Sequence, residues 1–250
     1  MIIDNINKLK DHYEELGEND IFLGLVNHRN LKLCLLIDLL ERGIKCHPSA
    51  LSQVLSTSKA AQAFIFNKWM IPNTIVINRR HDLIEAINEY NKKNIQTVVT
   101  KEEHMHCGHG VRKWPDIETL YNQRAFNESS SYPFVLQPFL KQFTDIRVII
   151  VGDYVEGYCR DNPFNFRKNL SLGGNTKPFK LDSKQKEFCR EIMLRGKFPY
   201  AHIDLHITKT KEIYLSEIAL NGGAKGARIS RKDLENMKNH VLIKLAKKSE

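Results

Sequence analysis

The sequence is short of everything that would make it a fibrous, membrane-spanning or disulfide-stapled protein. Its 250 residues include 13 Gly and 8 Pro, too few for a collagen-like or low-complexity chain. The longest apolar stretch, near Leu33–Leu40, is interrupted by Asp38 and falls far short of the roughly 20 residues that cross a bilayer. The opening MIIDNINKLKDHYEEL scatters charges where a secretory signal holds a continuous apolar segment, so a cytoplasmic protein with no membrane partner is expected. Five cysteines (Cys34, Cys46, Cys107, Cys159, Cys189) are widely spaced and never form C-x-x-C. They read as reduced thiols, mostly small buried hydrophobes. The two tryptophans, Trp69 and Trp114, build no stacking platform, which counts against a sequence-tolerant single-strand binder. Neither G-x-x-x-x-G-K-[ST] nor a strand-borne G-x-G-x-x-G is present, and there is no internal repeat.

What is present is a soluble balance, 42% apolar and 27% charged, with 38 Lys+Arg against 29 Asp+Glu and a formal charge of +9. Length alone supplies a sufficient core without staples. The surplus charge suits nucleic acid, an anionic small molecule or a merely solvated surface, and composition does not choose among them.

Periodicity orders the chain. A helix is predicted over Met1–Leu16, a strand over Ile21–Val26, and a helix over Leu31–Arg42 that Gly43 ends. A strand into His47-Pro48, a helix over Ser58–Trp69, a strand over Thr74–Asn78, a helix over Asp82–Asn91 and a strand over Thr97–Thr100 follow. Beyond a helix at Ile117–Arg124, the strands Phe134–Phe139, Ile146–Val151 and Tyr154–Arg160 appear, the last two joined by the turn pair Gly152-Asp153. A helix over Ser183–Arg195, strands Ala201–Ile207 and Ile213–Ala219, and a basic helix over Arg231–Lys248 close the chain. The class is α+β (mixed α/β) with a largely antiparallel second half.

Three features carry chemistry. Lys101 follows a strand, and Gly108-His109-Gly110 comes seven to nine residues later, a cation and a backbone nest suited to the same phosphates. Asp204 and Glu217 lie on consecutive strands and can face each other across a hairpin, as hard oxygen ligands for Mg²⁺ (or Mn²⁺) beside phosphate. Between them Arg147, Arg160, Arg167, Asn169 and the pair Gly173-Gly174 supply guanidinium groups and close backbone approach.

The order of these residues resembles the ATP-grasp ligases, in particular the branch of ribosomal-protein glutamate ligases and related amino-acid ligases. The resemblance covers about residues 50–225: Ser58-Lys59, Ile71-Pro72-Asn-Thr74, Lys101, Gly108-x-Gly110-Val111, Val135-Leu-Gln137-Pro-Phe139-Leu140, Asp145-Ile-Arg147, Arg160, Phe166-Arg-x-Asn169 and Asp204…Glu217. It implies the ATP-grasp fold, with a reduced N-terminal α/β unit at 1–57 and two lobes, 58–137 and 138–250, gripping ATP. It further implies Lys59 and Lys101 on phosphates and Gln137, Phe139 and Leu140 along the adenine-gripping hinge. Arg147, Arg160, Arg167 and Asn169 would lie around the transferred phosphoryl, and Asp204 and Glu217 on metal. The activity implied is the joining of a carboxylate, on a small molecule or a peptide, to an amine through an acyl phosphate. The alternatives are a kinase of the same fold or a non-catalytic basic module with a vestigial pocket.

Three features depart from the family pattern, one being that only about 50–70 residues precede the nucleotide-binding part, so that the N-terminal unit is expected to be reduced. The family's Glu-x-Asn reads Glu217-Ile-Ala219 here, with Asn221 two residues on as the substitute ligand if the strand bulges or ends early. The glycine loop carries His104, His106, Cys107 and His109, read as hydrogen-bonding lid residues in preference to a zinc site. Lys225 and Arg228, just past Asn221-Gly-Gly, are expected to face an acidic co-substrate. On the last helix Leu234, Met237, Val241 and Leu245 are expected to form the buried stripe, with the lysines solvated. Nucleic acid is not needed to account for the charge, and a homodimer is compatible with the sequence.

Overall fold

A computed structural model describes residues 1–28, 30–103, 105, 108–126 and 132–249. The predicted residues His104, His106 and Cys107 lie outside the described residues. In chain order the elements are β1 (Ile2–Ile3), α1 (Ile6–Asp11), β2 (Ile21–Leu23), α2 (Lys32–Glu41), β3 (Lys45–His47), α3 (Ala50–Leu55), α4 (Lys59–Ile65), β4 (Ile75–Ile77) and α5 (Arg80–Lys92). They continue with β5 (Val98–Glu102), β6 (Val111–Trp114), α6 (Ile117–Phe126), β7 (Phe134–Pro138), β8 (Phe143–Val151), β9 (Tyr154–Asp161) and β10 (Asn175–Phe179). The last are α7 (Ser183–Gly196), β11 (Tyr200–Thr208), β12 (Ile213–Ala219) and α8 (Arg231–Ser249).

The strands form three sheets: β1-β2-β3, parallel; β4-β7-β5-β6, antiparallel; and β10-β9-β8-β11-β12, antiparallel. The five-stranded sheet is built by strict alternation. Ala201, Ile203 and Leu205 are fully buried on one face with Cys189 and Ile192 of α7, while His202, Asp204 and His206 occupy the other. The hairpin β8–β9 turns at Gly152, whose φ of +58° is the left-handed conformation such a turn needs. Gly43 ends α2 at φ +76°, as its position predicts. The edge of β12 does not stay open. The buried Gln62 of α4 donates to the Ile218 carbonyl at 2.9 Å and accepts from its N–H at 2.9 Å, and Ser56 accepts from the Leu220 N–H at 2.9 Å.

Several local expectations give way. Residues 1–16 are not one helix: Ile2–Ile3 pair with Ile21–Phe22 as a strand, and Asn5 starts α1 by accepting from the N–H groups of Asn7 and Lys8. The strands β6 and β10 and the helix α3 add to the predicted set. The buried stripe of α8 is Leu234, Lys238, Leu242 and Ala246 rather than Leu234, Met237, Val241 and Leu245. Met237 and Val241 are half-buried against the large core. Lys238 is 3% exposed, its ammonium held by Asn221 Oδ1 and Glu235 Oε1 at 3.0 Å each and placed over the Tyr200 ring. One lysine of the basic helix is therefore an interior residue.

Gly157 tests the packing of the large sheet. A Cβ there would lie 2.5 Å from Leu181 Cδ1 and 3.0 Å from the Phe179 carbonyl. Gly157→Ala is expected to destabilise the chain by about 1–3 kcal/mol, the usual cost of overpacking, read as a lowered melting temperature.

Candidate active site

Between the four- and five-stranded sheets lies a cavity of about 490 Å³, the size of a small-molecule site. Its wall along β11 is set by the ladder. Asp204 stands directly opposite Glu217 on β12 and Arg147 on β8, and His206 opposite Asp145, which in turn faces Arg160 on β9. The two predicted acids thus meet as the hairpin reading requires.

Asp204 is not a free carboxylate. Arg147 donates to both its oxygens, Nε to Oδ1 at 2.7 Å and an Nη to Oδ2 at 2.8 Å, and Arg160 reaches Oδ2 at 2.9 Å. Arg160 also donates twice to Asp145 Oδ1, at 2.9 and 2.6 Å. Burial pushes the Asp204 carboxyl up, but the two guanidinium groups overcome it and hold the acid well below the usual carboxylate range. Two acids and two bases thus share one interior network in which every charge is paired.

Lys101 reaches the same wall from β5. Its ammonium donates to the carbonyl and hydroxyl of Ser216 at 3.1 and 3.2 Å. That carbonyl is available because β12 bulges: the ladder pairs Asp204 with Glu217 and Leu205 with Leu215, leaving Ser216 as the extra residue. Burial pulls the lysine down to about 8, against the attraction of Glu217. Lys59, the first residue of α4, is buried and donates to the Met105 carbonyl. Arg167 Nε donates to the Val111 carbonyl at 2.7 Å, tying its loop to β6.

Most predicted residues converge here. Lys59, Lys101, Gly108, Gln137, Phe139, Leu140, Arg147, Arg160, Arg167, Asn169, Asp204, Glu217, Asn221 and Lys225 all line the cavity. Four do not. Gly110 is buried behind it, where a Cβ would lie 2.6 Å from that of Met105. Gly173 (φ +85°) and Gly174, whose Cβ would meet the Lys168 carbonyl at 2.6 Å, shape the turn that presents Asn169. Arg228 is not a cleft residue: its backbone N–H and Nε bind the buried Glu156 at 2.7 and 3.2 Å, and its side chain is 77% exposed on another face. The placement of Asn221 also counts against a ligand role. The bulge falls before Glu217 instead of after it; β12 does end at Ala219, before Asn221, but Asn221 Oδ1 accepts from the buried Lys238 ammonium at 3.0 Å, whose charge opposes a divalent cation on the same oxygen.

The metal expectation can be examined on the donors themselves. A carboxylate offers about four lone-pair positions, and the three Arg contacts leave Asp204 one, on Oδ1, beside the half-buried Glu217. Glu217 and that remaining position fit one hard divalent ion completed by phosphate oxygens. Ala219 removes the oxygen a second would use. Among the described residues no group of three His, Cys, Asp or Glu side chains stands ready as a complete cage.

Sequence reasoning missed Asp145, Ser216, His202 and His206 as lining residues. Both histidines were legible as the i ± 2 neighbours of Asp204 on a strand. Burial, then the nearby Lys238 and Arg147, pulls His202 down to about 3, and burial, then Lys101, does the same to His206. An unfolded histidine takes a proton near 6.5, so the unfolded chain binds more protons between pH 6.5 and 3. The stability this contributes is complete above pH 6.5 and lost as pH falls through that window. Thermal melts are expected to drop steadily below pH 6.5, with a shallower slope in His206→Gln. The depressed Asp204 adds a further loss only below its ordinary value of 3.8.

The RimK-like ATP-grasp domain matches residues 54–243. Among curated proteins, the alpha-aminoadipate–LysW ligase LysX of Saccharolobus solfataricus is 27% identical over 63% of this chain and 59% of its own length. The glutathione synthetase of Prochlorococcus marinus is 27% identical over 63% and 51%. The coenzyme gamma-F420-2:alpha-L-glutamate ligase of Methanococcus maripaludis is 27% identical over 70% and 62%. The matched region thus spans between half and two-thirds of each of these relatives. Among solved structures, a D-alanine–D-alanine ligase from Bacillus anthracis superposes with a TM-score of 0.68 over 99% of this chain and 87% of that one, at 15% identity, a likeness of fold.

Proposed function

The chain belongs to the RimK-like ATP-grasp family, and from that premise we propose that it is an ADP-forming carboxylate–amine ligase. In this reading residues 58–137 and 138–250 grip ATP and residues 1–57 form the unit ahead of them. The observation that carries it is the arrival, on one wall between two sheets, of Lys101, the paired Arg147 and Arg160, and the opposed acids Asp204 and Glu217. A kinase would need the same nucleotide wall. The ligase reading is favoured because the curated relatives matched here carry ligase or synthetase names.

The chain's residues divide the work. Gln137, Phe139 and Leu140 form the apolar end for the base, and Lys59 and Lys101 place point charges along the phosphates. Glu217 and the remaining lone pair of Asp204 are the donors for Mg²⁺ or Mn²⁺, which when bound neutralises phosphate charge and orients the oxygens. Arg147 and Arg160, fixed by Asp145 and Asp204, present cationic groups in a set geometry at the transferring phosphoryl. They act by preorganisation, with no rearrangement during the reaction. A substrate carboxylate oxygen attacks the γ-phosphorus and the bond to ADP breaks. An amine then displaces phosphate from the acyl phosphate. The exposed Lys225 at the open end favours an acidic co-substrate, in keeping with relatives named for aminoadipate and glutamate.

Hydroxylamine tests this directly, because it intercepts acyl phosphates as hydroxamates. With ATP and Mg²⁺, a panel of amino acids and short acidic peptides is expected to yield hydroxamate and ADP together. ADP with a stable phosphorylated product and no hydroxamate identifies a kinase, and no ADP with any of them overturns the enzyme reading. Glu217→Gln is expected to lower turnover by at least ~10²-fold, the scale of losing one electrostatic stabiliser, with an unchanged melting temperature. Asp204→Asn is the poorer probe, since it also leaves Arg147 and Arg160 without their buried counter-charge.

A further inference from the structure

His206, Asp204 and His202 are alternate residues of one strand and share its cleft face. The rise of a β-strand sets successive members about 7 Å apart. They give the cleft a direction. The His206 ring lies 4.1 Å from that of Phe143, toward the apolar end; Asp204 stands opposite Glu217; His202 is one step further, opposite Ala219.

His202 is 3% exposed, and neither of its ring nitrogens has a hydrogen-bond partner among the described residues. It lies against the Gly222 backbone, where a Cβ would come within 2.8 Å of its Nδ1. Interior polar groups without partners are uncommon, and each calls for a reason. Ala219 offers no side-chain oxygen across the ladder, and the charged groups influencing the ring are Lys238, Arg147 and Asp204, cations outnumbering the acid. Either tautomer of an imidazole carries an N–H to donate. A neutral donor in a cationic surrounding suits an anionic oxygen.

We propose that His202 donates a ring N–H to an oxygen of the phosphoryl group as it leaves ADP at the transfer end of the cleft. This rests on the ligase reading and adds a residue to it. The bond from the γ-phosphorus to the bridging oxygen breaks with its electron pair remaining on ADP, a bond to the substrate carboxylate oxygen forms, and His202 stabilises the moving oxygen without giving up its proton.

Inorganic phosphate with Mg·ADP is the probe. In histidine-¹⁵N-labelled protein, the imidazole signals that His202→Asn removes are expected to shift when phosphate is added to the Mg·ADP complex and not when it is added alone. His202→Ala is expected to weaken phosphate binding to that complex by roughly fivefold, the equivalent of one neutral hydrogen bond, while ADP affinity stays unchanged. His202→Asn, which keeps an N–H donor, is expected to retain most of the phosphate affinity. If Mg·ADP binds and neither the signals nor the phosphate affinity respond, this inference fails and the ligase reading stands. If wild-type protein binds no Mg·ADP, both fail.

Discussion

The site depends on a single electrostatic arrangement, the interior square of Arg147, Asp204, Arg160 and Asp145 strung across three neighbouring strands. Buried charges are costly when unpaired, and an isolated acid at any of these positions would take up a proton. Pairing holds Asp204 and the two arginines charged and fixed, while at Asp145 burial outweighs the neighbouring Arg160 and pushes the carboxyl up. The ladder places the four residues opposite one another, so the geometry follows from strand register and a slip of one residue would turn every member to the other face. The strongly apolar opposite face, with Ile146, Val148, Ile203 and Leu205 fully buried, makes such a slip prohibitive. Hydrophobic burial on one side of the sheet thereby secures the charge pattern on the other.

Much of this was legible in the sequence where chemistry and periodicity coincide. The α2 helix with its terminal Gly43, the β8–β9 hairpin and the β11–β12 pair all show in the pattern of apolar residues and turns. So does the set of cavity residues ordered from Lys59 to Glu217. The strands that were missed, β6 and β10, lie at sheet edges. Residues 112 and 113 of β6 are exposed, and β10 contains Pro178, so both strands are defined by their ladder partner and not by their own alternation.

Other features were illegible for a different reason: they depend on residues far apart in the chain. The bulge at Ser216 is invisible in a continuous alternating strand, yet it frees the carbonyl that Lys101 uses. Lys238 looks like one more solvated lysine until Asn221 and Tyr200 close around it. Arg228 sits in the same basic run as Lys225, but the buried Glu156 draws it to another face. Charge patterning along a chain says how many cations there are and leaves open which acid each one meets.

The seal along β12 constrains the mechanics of the cleft. Gln62 and Ser56 bond the backbone on either side of Ala219 to the helices α4 and α3, and α4 begins with Lys59. Lys59 and Glu217, more than 150 residues apart and on the two proposed lobes, are therefore linked directly through the α4–β12 hydrogen bonds. The four-stranded sheet is held to this unit at several points, by Lys101 on Ser216, by Lys59 on the Met105 carbonyl and by Arg167 on the Val111 carbonyl.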